Sequence, residues 1–280
     1  MSEKYTVTQI QRLTELNAGN EVTEVEFSDV AERNTVFKEV ESRLVKENRR
    51  KLAHLLNEKH VPLSLKIEDK LSRWLTEEGD FTRVATPVII TSEQLDKMGI
   101  TAGHPLREQI YWVENNKCLR PMHAPNLYGL MRDIHRVTPG PVRIFEAGSC
   151  FRKESQGAKH MNEFTMLNLV ELDGVKDGEQ LERLKELAHG AMKAVGIEGY
   201  EIVVEKSEIY GETLDIEVNG TEVASGAYGP HPLDGTWGIF DTWVGIGFGI
   251  ERIAMMKGEY QTIKRAGKSL AYLDGVPLKL

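Results

Sequence analysis

Residues 243–252 read WVGIGFGIER, and this stretch decides the fold. Its glycines alternate with bulky apolar residues, which is the two-residue period of a β-strand. Dinucleotide-binding folds also carry glycine-rich segments, but early in a βαβ unit, with an acid about 20 residues later. Here the segment lies near the end of 280 residues. We therefore interpret it as a strand whose glycines admit a flat ligand, with tight strand–helix packing as the alternative.

Upstream, a polar cluster reads FRKE at 151–154 and, after a short loop, HMNEF at 160–164. Arg152 and His160 carry donor groups that suit a polyphosphate. Phe164 has a ring that can stack on a base, and Arg252 can lie over a purine face or clamp a phosphate. The two segments together indicate a nucleotide site, although an ordinary cross-strand Arg–Glu ion pair is the alternative for the first.

The dipeptide Asn219-Gly220 joins two strand-like runs and is the strongest two-residue hairpin signal. A two-residue loop places Glu217 opposite Glu222, and like charges in that position are unfavourable unless a positive charge joins them. Mg²⁺ bridging the phosphates of ATP would supply that charge. A wet, solvent-facing acidic strand pair is an equally good interpretation of the hairpin alone.

The rest of the chain predicts an α+β fold, an antiparallel sheet flanked by helices with a small helical N-terminal segment. Pro87 interrupts a β-rich run and is expected at an edge, a bulge or an interface. The expected division is a small helical N-terminal segment, 1–60, and a larger domain, 61–280. The predicted helices span 62–79 and 179–195, and the predicted strands span 109–113, 142–146, 165–171, 201–205, 213–218 and 221–224.

Composition restricts the class of protein. No run of 18 apolar residues and no signal-peptide pattern is present, and two cysteines are too few for a disulfide framework, so a cytoplasmic protein without a membrane span is expected. The net charge of −8 disfavours a generic nucleic-acid coat. Any contact with RNA is expected from local basic patches, Lys46, Arg49, Arg50 and Lys51, and also Lys264, Arg265 and Lys268.

Taken together, the clusters resemble the three signature motifs of class II aminoacyl-tRNA synthetases, the first of them being a dimer-interface element that ends at Pro87. The resemblance is closer to one family. Four segments are similar to pyrrolysyl-tRNA synthetases of the short form, which consists of the catalytic core only. They are RPMHAPNLYGLMRD, CFRKESQGAKHMNEFTMLNLVEL, YGETLDIEVNG and WVGIGFGIER.

The resemblance implies an enzyme that uses ATP and Mg²⁺, forms a homodimer, and joins pyrrolysine or a similar ε-N-acylated lysine to its cognate tRNA. It implies that the helical segment 1–60 contacts the tRNA and that 61–280 is the catalytic domain, and it leaves open whether a separate tRNA-binding protein is a partner. Arg152 and Arg252 are implied as catalytic residues, with Glu222 and Ser225 as metal ligands. The implied ATP-binding residues are Arg152, Glu154, His160, Phe164, Glu222, Ser225 and Arg252. The implied substrate-binding residues are Met122, His123, Ala124, Leu127, Tyr128, Met131, Asn168, Val170, Tyr210, Ser225, Ala227, Trp243 and Gly245.

One implied pocket residue departs from the family pattern, because His123 stands where the family has leucine; we predict a hydrogen-bonded core histidine. The alternatives are a class II synthetase for another amino acid, such as phenylalanine or phosphoserine, and a non-catalytic synthetase-like tRNA-binding protein. The apolar character of Leu127, Val170, Ala227 and Trp243 disfavours phosphoserine. The presence of every implied ATP residue disfavours a non-catalytic protein.

Overall fold

A computed structural model describes residues 2–153, 157–207 and 211–280. Up to residue 140 its elements are β1 (Glu3–Lys4), α1 (Val7–Glu15), α2 (Asn20–Thr23), β2 (Glu26–Phe27), α3 (Val30–Asn57), α4 (Leu63–Glu77), β3 (Thr82–Arg83), β4 (Ile89–Thr91), α5 (Ser92–Lys97), α6 (Pro105–Glu108), β5 (Trp112–Glu114), β6 (Lys117–Leu119) and α7 (Ala124–His135). Beyond it they are β7 (Val142–Phe151), β8 (Glu163–Leu172), α8 (Gln180–Val195), β9 (Tyr200–Ser207), β10 (Gly211–Val218), β11 (Thr221–Gly229), α9 (Asp234–Trp237), β12 (Trp243–Gly249), α10 (Ile250–Lys257), α11 (Ile263–Ala266), β13 (Tyr272–Leu273) and β14 (Val276–Pro277).

The chain divides into two compact units, Met1–Pro62 with Ser269–Leu280, and Leu63–Lys268. The sequence-based division at residue 60 had assigned the last twelve residues to the catalytic domain. They lie instead in the first unit, where Nδ2 of Asn17 donates to the Gly275 carbonyl at 2.8 Å. The first unit also contains the two-stranded sheet β1–β2, which the helical pattern of residues 1–60 did not predict.

In the second unit a seven-stranded sheet has the order β3-β7-β8-β12-β11-β10-β9. Every neighbouring pair is antiparallel except β3 and β7. The sequence analysis had predicted an antiparallel α+β sheet flanked by helices, and the structure confirms it. A separate three-stranded sheet has the order β4-β6-β5, and Pro87 lies between β3 and β4, outside both ladders.

Strand β12 shows why the sheet has two different faces. Its bulky residues Val244, Ile246 and Phe248 are 0–1% exposed and belong to a core that includes α4, α8 and α10. The residues between them are glycines. Because successive side chains of a strand point to opposite faces, one face is packed solid and the other is left open for a ligand.

Candidate active site

The open face of the sheet forms the wall of a cavity of about 330 Å³ in the second unit. The cavity brings together sixteen residues that the sequence analysis had named as ATP or substrate residues. They are Met122, Ala124, Leu127, Tyr128, Met131, Arg152, His160, Phe164, Asn168, Val170, Glu222, Ser225, Ala227, Trp243, Gly245 and Arg252. Glu154 and Tyr210, also named, lie outside the described residues.

The glycines of β12 give this cavity its depth. A Cβ on Gly245 would lie 3.2 Å from the Leu169 carbonyl oxygen, and one on Gly247 would lie 2.6 Å from Nδ2 of Asn168. Any side chain at Gly247 would therefore displace the Asn168 amide. The glycine-rich stretch is required for close approach to the sheet, as a flat-ligand site demands.

Arg152 and Phe164 meet at the polar end of the cavity. They lie on the chain that follows β7 and at the start of β8, which are antiparallel neighbours. The Arg152 guanidinium is 5.4 Å from the centroid of the Phe164 ring, a cation–π distance, and its Nε donates to the Pro121 carbonyl at 3.0 Å. This second contact holds the arginine against the segment that leads into α7.

Arg252 reaches the same end from α10. Its Nη1 donates to Oε1 of Glu222 at 3.1 Å and to the Glu222 carbonyl at 3.2 Å. Partial burial raises the pKa of Glu222, and Asp215 adds to the rise, whereas Arg252 and Arg152 oppose it. The two arginines, one hundred residues apart in sequence, therefore act on one carboxylate at one site.

Asp215 is an acid of this site that the sequence analysis missed. The hairpin register confirms that Glu217 faces Glu222, but a bulge between Ile216 and Glu217 shifts the ladder beyond that pair. Asp215 is paired with Ser225, whose hydroxyl donates to its carboxylate at 2.5 Å. The acid that contacts a predicted metal ligand is thus Asp215, two residues before Glu217.

These oxygens suit magnesium. Glu222, Ser225 and Asp215 offer hard oxygen donors, and Mg²⁺ in nucleotide sites is held by one or two carboxylates, phosphates and water. Within residues 2–153, 157–207 and 211–280, no three His, Cys, Asp or Glu side chains form a metal cluster. An all-protein metal cage is therefore not the type of site that these residues build, whereas a site completed by phosphate oxygens fits them.

The opposite end of the cavity is apolar. Leu127, Tyr128 and Met131 project from the first turns of α7 and are 0–4% exposed. The Tyr128 and Trp243 rings meet edge-to-face at 5.4 Å, and Nε1 of Trp243 donates to Asp234 at 2.8 Å. A fixed aromatic wall of this kind accepts a long uncharged side chain and offers few polar anchors.

Asn168 is the polar side chain at this apolar end, and it contacts His123. Nδ1 of His123 lies 2.9 Å from Oδ1 of Asn168. Burial lowers the pKa of His123 to about 4, with Arg120 adding to the effect and the Asn168 bond opposing it. His123 is fully buried behind the wall. The prediction of a hydrogen-bonded core histidine is confirmed for Nδ1.

Sequence reasoning also missed a buried ion pair beneath His123. Arg120 is 2% and Glu146 3% exposed, and Nη1 of Arg120 lies 2.7 Å from Oε1 of Glu146. Thr86 also donates its hydroxyl to Glu146 at 2.6 Å. The available signal was Glu146 itself, a charged residue in the otherwise apolar strand run IFEAG, residues 144–148.

The basic residues expected to contact tRNA are not all on the surface. Lys46, Arg49, Arg50 and Lys51 are exposed on α3 in the first unit. In the second unit Lys264 and Lys268 are exposed, but Arg265 is only 5% exposed, and its Nη1 lies 3.4 Å from Oγ1 of Thr262. Arg265 was wrongly included in that patch, because it faces inward from the short helix α11. None of the described helices is long and apolar enough to cross a membrane.

Comparisons with known proteins agree with this geometry. Residues 51–269 match the family model "tRNA synthetases class II core domain (F)". Two solved structures of pyrrolysyl-tRNA synthetase from Desulfitobacterium hafniense are 48% identical to this chain and cover all of it. Their TM-scores are 0.89 and 0.91, and the match covers 99% and 100% of those chains.

More distant relatives are the O-phosphoserine–tRNA(Cys) ligases of two strains of Methanococcus maripaludis. They are 24% identical over an alignment of 192 residues, and the match covers 59% of this chain and 35% of theirs. The chain thus spans about a third of the length of these curated relatives. The chain belongs to the class II aminoacyl-tRNA synthetases, and its full-length match places it in the pyrrolysyl-tRNA synthetase family.

Proposed function

We propose that this protein activates pyrrolysine, or a similar ε-N-acylated lysine, with ATP and transfers it to the 3′ end of a cognate tRNA. One observation carries the proposal. A single cavity has Arg152, Arg252 and Glu222 at one end and a deep apolar wall with Asn168 at the other. This arrangement supports the binding of a nucleoside triphosphate and of a long uncharged side chain on either side of a shared reaction centre.

At the polar end, Phe164 and Arg252 would hold adenine between them, while Arg152 and His160 would bind the phosphates. The carboxylate of the amino acid attacks the α-phosphorus, forming an acyl–phosphate bond and releasing pyrophosphate. The terminal ribose hydroxyl of the tRNA then attacks the activated carbonyl and AMP leaves. The protein acts through positioning and charge neutralisation, and no side chain is needed as a nucleophile.

Class II synthetases generally use Mg²⁺ with ATP, and the donor set described above fits that ion. Glu222 and Ser225 would hold it, with Asp215 bonded to Ser225. When bound, the ion neutralises phosphate charge. In the structure Glu222 is paired with Arg252 instead, so we expect this carboxylate and this guanidinium to separate when ATP enters.

At the apolar end, the substrate's aliphatic stem would lie along Leu127, Met131, Val170 and Ala227, with its acyl group between Tyr128 and Trp243. Asn168 would donate its amide hydrogen to the acyl carbonyl. Tyr210 is implied as a closing residue by the resemblance alone, because it lies outside the described residues. Phosphoserine, named for the distant relatives, would bring a dianion against this apolar wall, and burying an unpaired charge is costly.

The partners follow from the same proposal. The exposed basic residues of α3 would contact the tRNA, and the segment around Pro87 would contribute to a homodimer interface. A separate tRNA-binding protein is compatible with this arrangement, and the cytoplasm is where the tRNA substrate is found.

Replacing Lys46, Arg49, Arg50 and Lys51 with alanine should weaken tRNA binding and flatten its salt dependence. Unchanged tRNA affinity at low salt would refute this assignment.

The test of the proposed function is amino-acid-dependent ATP–pyrophosphate exchange by the full chain. The panel contains pyrrolysine, several ε-N-acylated lysines, lysine, phenylalanine and phosphoserine. We expect exchange with pyrrolysine and at least the bulkier acylated lysines, and none above background with lysine or phosphoserine. Exchange stimulated only by phenylalanine or phosphoserine would overturn the substrate assignment, and no exchange with any member would overturn the enzymatic function.

A further inference from the structure

His123 is fully buried at the N-cap of α7 and does not line the cavity, yet it contacts Asn168, the side chain that we expect to donate to the substrate's acyl carbonyl. Its Nδ1 lies 2.9 Å from Oδ1 of Asn168. An asparagine amide can turn either its oxygen or its nitrogen toward a neighbour, with opposite consequences for what it can bind. The protonation of His123 therefore decides which group Asn168 presents to the cavity.

The surroundings of the imidazole decide where its proton lies. Its Nε2 is buried and has no hydrogen-bond partner among the residues that the structure describes. Nε2 of His123 and Nη2 of Arg120 both lie beside Gly148. They are 3.5 and 2.5 Å, respectively, from where a Cβ on that glycine would stand. A permanent guanidinium charge favours a lone pair on the nearer nitrogen over an N–H, so the proton of the neutral ring belongs on Nδ1.

The Arg120 guanidinium is itself held in place. Its Nη1 is paired with Glu146, and its Nε donates to the Ser149 carbonyl at 3.0 Å. The positive charge beside Nε2 is therefore a fixed part of the core. Glu146 thus fixes a charge that acts on His123, and His123 in turn contacts Asn168.

With the proton on Nδ1, His123 donates to Oδ1 of Asn168, and the amide NH₂ is the group left for a ligand. That NH₂ lies over Gly247 on the cavity wall, where a Cβ would come within 2.6 Å of Nδ2. We propose that His123 is a positioning residue that fixes the Asn168 amide with its donor toward the cavity, so that the pocket selects a side chain carrying a carbonyl acceptor.

The opposite orientation would give the opposite selectivity. If Nε2 carried the proton, Nδ1 would accept from the Asn168 NH₂, and Oδ1 would face the ligand. A substrate carbonyl would then meet a carbonyl oxygen, and two acceptors without a donor leave both unsatisfied. A leucine at position 123 fills similar space but holds neither orientation.

This inference rests on the proposed function. Two matched ligands distinguish a failure of the inference from a failure of the proposed function. One is an isostere of the ε-N-acylated lysine that the unmodified protein activates best, in which the amide nitrogen is replaced by methylene, which leaves a side-chain ketone. The other lacks the ketone oxygen and is a plain alkane. The ratio of their kcat/KM values in ATP–pyrophosphate exchange measures recognition of the carbonyl alone, since the rest of the side chain is common to both.

The variants are His123→Leu, His123→Asn, Asn168→Ala and the double variant His123→Leu with Asn168→Ala. We expect His123→Leu to lower the ketone-to-alkane ratio about tenfold, the order of one hydrogen bond. His123→Asn keeps a side-chain donor near the place of Nδ1 and should restore most of the ratio. In the Asn168→Ala background, His123→Leu should leave the ketone-to-alkane ratio unchanged, because the amide that His123 orients is absent.

The outcomes are distinguishable. A merely structural role predicts that His123→Leu lowers kcat/KM for both ligands by one factor and leaves the ratio intact, which would overturn the inference alone. An equal change of the ratio in both backgrounds would also overturn it. If the unmodified protein exchanges with neither ligand nor any acylated lysine, the proposed function falls and this inference falls with it. Thermal unfolding of each variant verifies that the comparison is made on folded protein.

Discussion

The two ends of the cavity differ in how far their binding residues are exposed and in what holds those residues in place. At the polar end the ligating groups are half exposed and satisfy one another, as Arg252 does with Glu222 and Ser225 with Asp215. At the apolar end Tyr128 and Trp243 are 3–4% exposed and held by fixed contacts. The difference suggests that the ATP end rearranges its ion pairs when the nucleotide enters, whereas the amino-acid end is formed in advance.

The largest expected effect is at the polar end. Arg152→Ala removes a permanent charge that would stabilise the phosphates during transfer, and an arginine in that role is worth about 10³- to 10⁵-fold in rate. ATP–pyrophosphate exchange should therefore fall to background while thermal unfolding stays close to that of the unmodified protein. A matched control is Arg73→Ala, because Arg73 is exposed on α4 and pairs only with Asp69 among the contacts described for it. Exchange at the unmodified rate in Arg152→Ala would refute its role.

The second effect is on stability and belongs to the apolar end. Glu146→Ala leaves the buried Arg120 without its ion-pair partner, and breaking a buried pair in this way costs about 3–5 kcal/mol. The free energy of unfolding in urea measures it. Asp69→Ala breaks an exposed pair with Arg73, both side chains being more than 60% exposed, and should cost less than about 1 kcal/mol. An equal decrease in the free energy of unfolding of the two variants would show that the buried ion pair does not stabilise this end of the cavity.

A smaller effect concerns pH. The folded pKa of His123 is about 4, below the ordinary value of about 6.5 in an unfolded chain. Between these values the unfolded chain binds the extra proton, so stability falls as the pH falls, by up to about 3 kcal/mol. The charged groups near the imidazole are Arg120 and Glu146. His123→Leu should show a flatter loss of unfolding free energy from about pH 6.5 to about pH 4, and a slope equal to that of the unmodified protein would contradict the assignment.

Local patterns were enough to predict most strands of the sheet. The period-two alternation of β12, the Asn219-Gly220 hairpin and the stripe of α8 are all properties of neighbouring residues, and each element formed as expected. The cavity residues could be named because the resemblance supplied their roles. The resemblance supplied only the positions of these residues in the sequence. The contacts among their side chains could be described only from the folded structure.

The misses arise where distant residues meet. The contact between Asn17 and Gly275, the pairing of Arg120 with Glu146 and the approach of Asp215 to Ser225 depend on register and tertiary packing. A local signal was also misjudged at residues 109–113, predicted as a strand. His104 caps α6, which has Pro105 in its first turn, and Gln109 is the C-cap of this helix, so β5 begins only at Trp112.

The central claim is that one cavity holds two independent binding ends, and isothermal titration calorimetry of two variants against two ligands tests it most directly. Against a non-hydrolysable ATP analogue, Arg152→Ala should lose most of its affinity and Asn168→Ala should bind like the unmodified protein. Against an ε-N-acylated lysine the pattern should reverse. Equal affinity of Arg152→Ala and the unmodified protein for the ATP analogue, or of Asn168→Ala and the unmodified protein for the acylated lysine, would contradict the account.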